Sequence, residues 1–171
     1  ITLLLIVGCS KPIDEESLKD RGGIKYQQDA QEPYSGKVFK LYETGEKFLD
    51  GIYKDGKKDG LYTFWYENGQ KKSEVTYKNG KANGLYTTWY ENGQKKGEGT
   101  FNDGKQDGLW TWWRRNGKKE REETYKDGKE IESTNWTYYE NGQKEYERMY
   151  KNGKRIFWTY WYENGQKKYE G

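Results

Sequence analysis

The chain has 171 residues and a net charge of +3, from 31 basic and 28 acidic residues that interleave, which excludes a polyanion clamp. Only 31% of the residues are hydrophobic and 35% are charged, a composition that leans toward disorder, but 18% are aromatic, which predicts an ordered, thin and elongated structure. The absence of histidine and the single cysteine exclude histidine-based triads, histidine or cysteine metal sites and intrachain disulfides.

Residues 1–8 form an apolar run, ITLLLIVG, which is followed by Cys9. The run is too short to span a bilayer and fits the hydrophobic region of a secretory signal. The tetrad IVGC, which ends at Cys9, resembles a bacterial lipobox, and this resemblance implies that Cys9 carries the lipid of a mature lipoprotein. Residues 1–9 are therefore interpreted as a partial lipoprotein signal. Because Ser10 rather than Asp follows the cysteine, the resemblance implies sorting to the outer membrane in a host with two membranes.

Residues 10–33 are polar, with the segments KPIDEESLKD and QQDAQEP, and we interpret them as a tether between a membrane anchor and a folded part. Residues 34–171 are interpreted as the repeat domain, with five to six repeats of which the last is incomplete.

The repeat is marked by two series of turn glycines with a period of about 24 residues, estimated from their spacing along the chain. The octapeptide WYENGQKK occurs at 65–72, 89–96 and 161–168. Most of the glycines follow Asn or Asp, as in Asn68-Gly69 and Asn79-Gly80, and these dipeptides predict two-residue type I′ hairpin turns. The sequence therefore predicts an all-β fold, an elongated, twisted antiparallel meander of stacked hairpins.

A two-residue turn at Asn68-Gly69 predicts that Trp65 pairs with Lys72, and strand alternation then separates two faces. One face gathers a set of mostly aromatic residues, Tyr62, Phe64, Tyr66, Val75 and Tyr77. The other gathers Leu61, Trp65, Lys72 and Glu74. In this register Gly60 lies opposite Tyr77, and we expect the glycine to leave room for the tyrosine ring.

The second face contains a predicted ladder of tryptophans, namely Trp65, Trp89, Trp113 and Trp161. Equivalent residues lie two strands apart, a spacing of roughly 10 Å. Trp136 fits either face, depending on where a gap in its repeat is placed. The ladder is the candidate binding site, either for a protein or for sugars and choline-like cations that stack on indole rings. The alternative is that the rings cover one another and the lysine stems as part of the fold.

The pattern G-L-Y-x-x-W-Y-E-N-G-Q-K-K, which begins at Gly60 and again at Gly84, resembles the bacterial variant of the MORN repeat. This resemblance implies a sheet of stacked hairpins. Eukaryotic members of the family look like scaffolds and membrane-proximal modules. Many bacterial proteins with the variant repeat are labelled YwqK-type antitoxins. An antitoxin would meet its toxin in the cytosol, whereas a lipid anchor favours the envelope.

Catalysis is not expected, because the glutamates that recur beside lysines occupy ordinary solvated positions rather than one special environment. These are Glu74, Glu98, Glu122, Glu147 and Glu170. No metal, cofactor or nucleic-acid partner is expected. The sequence thus favours a non-enzymatic, membrane-anchored scaffold of the cell envelope that presents aromatic faces to a protein partner. The alternatives are a cytoplasmic YwqK-like antitoxin and an envelope protein that binds glycans or choline.

Overall fold

A computed structural model describes residues 11–171, which are almost entirely β-structure. The only helix in this range is a 3₁₀ helix at Glu15–Ser17. No helix of the described range is long and apolar enough to cross a membrane. The strands β1 to β16 are, in chain order, Ile13–Asp14, Lys19–Arg21, Ile24–Tyr26, Gly36–Leu41, Lys47–Lys54, Lys57–Lys58, Gly60–Trp65, Lys71–Lys78, Lys81–Trp89, Lys95–Asn102, Lys105–Trp113, Lys119–Lys126, Lys129–Tyr138, Lys144–Lys151, Lys154–Trp161 and Lys167–Glu170.

Fourteen of these strands form one open sheet, in which each strand from β7 to β16 pairs with the next along the chain in antiparallel orientation. The sheet begins with β1, which pairs in parallel with β4, and the short strand β6 pairs beside β5. Strands β2 and β3 form a separate two-stranded hairpin. The predicted all-β hairpin meander is confirmed.

The hairpin turns belong to two classes that lie at opposite ends of the strands. At Asn79-Gly80 both residues have positive φ, 50° and 84°, so the two-residue type I′ turn is confirmed there. At Asn68-Gly69 only Gly69 has a positive φ, and its N–H donates to the Tyr66 carbonyl at 2.9 Å. This geometry is a three-residue loop, a type I turn followed by a left-handed glycine, so the type I′ prediction is wrong at this end.

A bulge follows the three-residue loop and changes the predicted pairing next to it. Trp65 pairs with Lys71 instead of Lys72, whereas the pairs further from the loop, such as Phe64 with Ser73, are as predicted. Two residues therefore oppose one, and the two lysines separate. Lys72 lies against the Tyr66 ring, with its Nζ 5.5 Å from the ring centroid, so its predicted place beside Trp65 is wrong. Lys71 takes that place.

We call the two sides of the sheet the tyrosine face, which carries Tyr62, Phe64, Val75, Tyr77 and their equivalents, and the ladder face, which carries Leu61, Thr63, Trp65 and their equivalents. On the tyrosine face, large rings lie on glycines of the neighbouring strand. A Cβ atom at Gly51 would overlap the Tyr62 ring, and one at Gly99 would overlap the indole of Trp110. Both rings are almost completely buried.

Gly60 pairs with Tyr77 as predicted, but it does not make room for the ring. A Cβ atom at Gly60 would meet only the Ile52 side chain, at an ordinary contact distance of 3.6 Å. Its φ of 112° lies in a region that residues with a side chain rarely adopt, so backbone conformation is the reason for the glycine. The glycines that seat rings, Gly51 and Gly99, were not found from the sequence.

The segment from residue 11 to residue 33, predicted to be a polar tether, is folded against the first repeat strands. Leu18 is buried in a cluster with Val38, Leu49 and Tyr53 on the tyrosine face. The Tyr53 hydroxyl donates to Glu15 at 2.9 Å, which fixes the 3₁₀ helix on the sheet. This segment differs from the prediction because its apolar residues Ile13 and Leu18 pack into the apolar cluster of the first repeat strands.

The seating of rings on glycines predicts a cost for a single added methyl group. Gly99→Ala is expected to lower the free energy of unfolding by about 1–3 kcal/mol, because the new Cβ atom overlaps the buried Trp110 indole. Thr100→Ala, next along the strand and exposed on the other face, should change it by less than about 0.5 kcal/mol. Chemical denaturation followed by circular dichroism measures both, and equal effects would contradict the interpretation.

Candidate functional site

The predicted tryptophans lie in one row on the ladder face, because the strand register places each at the same distance from its hairpin loop. Trp65, Trp89 and Trp113 occupy this row in successive repeats, and Trp161 continues it. Trp136, whose face the sequence left open, lies on the same face but two residues further from its loop, since it pairs with Glu147 as Thr63 pairs with Glu74. The ladder face therefore carries five indoles, all partly buried.

A lysine ammonium lies over each indole and comes from the preceding hairpin. The distances from Nζ to the ring centroid are 4.8 Å for Lys47 and Trp65, 5.8 Å for Lys71 and Trp89, 5.4 Å for Lys95 and Trp113, 5.7 Å for Lys119 and Trp136, and 5.4 Å for Lys144 and Trp161. Each cation–π contact of this exposed kind contributes about 0.5–1 kcal/mol. The lysines thus link every repeat to the next.

Lysines, rather than other indoles, are the neighbours of the ladder rings. Within the part of the chain that the structure describes, ring-on-ring packing occurs on the tyrosine face, and none of it joins two ladder indoles. The expectation that the rings cover lysine stems fits this geometry, and the expectation that they cover one another does not. A sugar or a choline-like cation would find one side of each ring already occupied by an ammonium group.

The same lysines form ion pairs with the recurring carboxylates, three residues further along the strand. The oxygen atoms lie between 2.5 and 3.2 Å from Nζ in the pairs Lys47–Asp50, Lys71–Glu74, Lys95–Glu98, Lys119–Glu122, Lys144–Glu147 and Lys167–Glu170. Because every glutamate of the series makes the same ion pair, none has the special environment that a general acid needs. Among residues 11–171, no group of three His, Cys, Asp or Glu residues is arranged to hold a metal ion.

A second set of contacts between repeats runs along the hairpin loops. The Tyr66 hydroxyl donates to the carbonyl of Trp89 at 2.9 Å, and the hydroxyls of Tyr42, Tyr90 and Tyr139 make the equivalent bond in their repeats. The Asn68 side-chain amide donates to the carbonyl of Glu91 at 3.0 Å. The motif WYENGQKK is therefore a structural unit, in which hydroxyl, amide and lysine each contact the next repeat and the indole contacts the lysine of the preceding one.

Burial at the loops affects the tyrosine hydroxyls. Burial raises the pKa of Tyr66 above its usual value, and the nearby carboxylate of Glu91 adds to the shift. Burial also raises the pKa of Tyr42, with a smaller contribution from Glu67. Both hydroxyls thus stay protonated and able to donate over the ordinary pH range.

Beside the ladder, aliphatic side chains form an exposed row on the same face. Leu61, Leu85 and Leu109 are 50%, 60% and 56% exposed, and Ile52 precedes them at 39%. The threonines between this row and the indoles, such as Thr63 and Thr87, are buried. The sequence had placed Leu61 on this face, but its exposure depends on neighbours that strand alternation does not specify. The aliphatic row, rather than the tryptophans, is the most accessible apolar surface of the ladder face.

Cys9, the predicted lipidation site, lies outside the described residues.

Loss of a loop hydroxyl should weaken the coupling between repeats. Tyr66→Phe removes a hydrogen bond to a backbone carbonyl, and we expect the free energy of unfolding to fall by about 1 kcal/mol. Tyr162→Phe is the matched control, since the structure gives its hydroxyl no acceptor among residues 11–171, and its effect should be close to zero. Urea denaturation of both variants checks this, and equal losses would argue against a role for the hydroxyl.

Comparison with known proteins agrees with this geometry. The family described as MORN repeat variant matches the chain at residues 58–79, 82–103, 106–127 and 137–152. No curated protein matches the chain. A solved structure described as Crystal Structure of TarM is 15% identical over 57% of this chain and 19% of that chain, with a TM-score of 0.37, and the chain spans about a fifth of that chain's length. That likeness is too low to carry an argument, whereas each of the four matches falls on one hairpin repeat of the sheet. The chain is thus similar to the MORN repeat variant in four successive hairpins of its sheet.

Proposed function

We propose that this protein is a non-enzymatic, lipid-anchored scaffold of the cell envelope that binds another protein through the aliphatic row of its ladder face. The observation that carries the proposal is the exposure of Leu61, Leu85 and Leu109, half or more of each side chain, at equivalent positions of three successive repeats. An apolar strip that a repeat sheet leaves open in each unit is typical of an interaction surface.

The surroundings of the row resemble the anatomy of a protein interface. Leucines of successive repeats are roughly 10 Å apart, so they form a nearly flat strip along the sheet. The threonines beside the row are buried and fill the surface that a partner would cover. Further out, the Lys71–Glu74 and Lys95–Glu98 pairs form a polar rim without excess charge. An apolar centre with a polar rim fits a protein partner that has its own apolar strip.

The ladder tryptophans support this surface rather than provide it. They are partly buried, and lysines cover them, so less of each ring is available than a sugar-stacking site requires. This favours the protein partner over the glycan or choline alternative.

The envelope location rests on the tetrad IVGC, which ends at Cys9 and resembles a lipobox. In a host with two membranes the Ser10 residue favours the outer one. A YwqK-like antitoxin in the cytoplasm is the alternative, and it requires a protein without lipid at Cys9.

Substitution of the aliphatic row tests the binding surface. A chain with Leu61→Ser, Leu85→Ser and Leu109→Ser should lose a protein that cross-links to the wild type in native membranes. The expected decrease in recovery is about tenfold or more, because buried apolar anchors contribute on the order of 1–2 kcal/mol each to an interface. Quantitative mass spectrometry of the cross-linked product measures the decrease.

The control for this experiment is Tyr162→Ser, which removes a side chain of similar exposure, 48%, in the last hairpin. It should recover the partner at the wild-type level, and circular dichroism should show that both chains are folded. Undiminished recovery with the triple variant would contradict the proposed surface.

Metabolic labelling with a palmitate analogue tests the anchor separately. The wild-type protein in its native host should carry the label, and Cys9→Ser should abolish it, since the thiol is the acceptor of the lipid. An unlabelled wild-type protein would support the cytoplasmic alternative.

A further inference from the structure

The repeat at 106–127 carries charged side chains on the tyrosine face, away from the aliphatic row. Positions that hold phenylalanine, serine and valine in the repeat at 58–79 hold Trp112, Arg121 and Glu123 in the repeat at 106–127. Trp112 lies on Gly97 of the neighbouring strand, as other rings of this face lie on glycines, whereas the charged Arg121 and Glu123 have no counterpart in the repeats at 58–79 and 82–103.

Glu123 organises this cluster from a buried position. It is only 5% exposed, and its carboxylate accepts hydrogen bonds from the Trp112 indole N–H and the Tyr125 hydroxyl, each at 3.1 Å. Its other oxygen lies 3.1 Å from Nε of Arg121. A buried carboxylate with three partners holds the indole and the guanidinium in fixed positions, so their arrangement exists before any ligand arrives.

A cleft lies beside the fixed indole. Its volume is about 310 Å³, within the range of small-molecule sites. Seven residues line it, namely Tyr90, Lys96, Trp112, Trp113, Glu120, Arg121 and Asn135. Three of them are aromatic, namely Tyr90, Trp112 and Trp113, and the Asn135 amide offers a hydrogen-bond donor and acceptor.

The rim of the cleft carries more positive than negative charge. Lys96 Nζ and the Arg115 guanidinium lie 5.6 and 5.2 Å from the Tyr90 centroid. In the repeat at 58–79 the structure places one cation, Lys72, over the equivalent Tyr66 ring. Arg115 stands where the other loops have glutamate, and Glu120 is the one carboxylate among the lining residues. With Arg121 balanced by Glu123, Lys96 and Arg115 remain available to an anionic group.

We propose that this cleft binds a small organic acid that carries a ring. The ring packs against Trp112, and the acidic group, a carboxylate, meets the Lys96 ammonium and the Arg115 guanidinium beside Tyr90. A nucleic acid does not fit these observations, because the cationic cluster is confined to one repeat and gives no track for a backbone. This site lies apart from the aliphatic row, so the test of ligand binding here is independent of the test of the proposed function.

Nuclear magnetic resonance of the indole N–H groups tests the proposal directly. The chain has 8 tryptophans, and a Trp112→Phe variant identifies the Trp112 signal. The probes are 4-hydroxyphenylacetate and glucuronate, with 4-hydroxyphenylacetamide and glucose as their neutral counterparts. At least one acid should shift the Trp112 signal in a saturable manner, and its neutral counterpart should bind at least about fivefold more weakly, because the charge-assisted contacts are lost.

The matched variants are Lys96→Gln and Lys72→Gln, which remove the same lysine of the repeat at the cleft and one repeat away. Lys96→Gln should weaken binding about tenfold, the loss of one contact to a charged group, and Lys72→Gln should leave it unchanged. Circular dichroism confirms that both variants fold. The proposal is overturned if neither acid shifts the Trp112 signal at millimolar concentration, if the neutral counterpart binds as well as the acid, or if both lysine variants weaken binding equally.

Discussion

A sheet without a second layer over most of its length has to bury apolar surface with its own side chains, and this constraint explains most of the structure. On the tyrosine face, rings are buried by neighbours within the same sheet. Tyr62 and Trp110 lie flat on glycines of the adjacent strand and are covered by the edges of neighbouring rings. The glycines bring the ring close to the backbone, and the ring hides the backbone from water. The folded N-terminal segment, through Leu18, covers the first strands of this face.

The ladder face meets the same constraint with mixed chemistry. Indoles there are covered by lysine stems and ammonium groups, and the lysines are neutralised by glutamates three residues away, as in Lys95 and Glu98. Each such contact is weak, but it joins one repeat to the next and recurs along the sheet, so stability accumulates by neighbouring units. The loop hydroxyls, such as that of Tyr66, do the same at the strand ends. The aliphatic row has no such cover, and this is why a structural constraint leads to a proposal about binding.

Departures from the repeat are informative because the repeat itself is so regular. In the unit at 106–127, Arg114 replaces the loop tyrosine, yet its guanidinium still contacts the carbonyl of the next ladder residue, Trp136, at 3.4 Å. That substitution is compensated within the scaffold. The buried Glu123 instead fixes Trp112 and Arg121 beside a cleft. The two kinds of change separate side chains that maintain the meander from those available to a ligand.

The sequence by itself determined the repeat period, the antiparallel meander and the division into two faces. These features follow from turn residues and strand alternation, which act over a few residues. The sequence was sufficient for Trp65, Trp89, Trp113 and Trp161 in one row, but not for Trp136, whose face depends on where an irregular strand pairs. Only the tertiary structure decided that Lys71 rather than Lys72 faces the ladder, because the bulge forms between strands. The glycine seats, the folded segment after residue 10 and the cleft beside Trp112 depend likewise on contacts between neighbouring strands and repeats, which turn preferences and alternation do not encode.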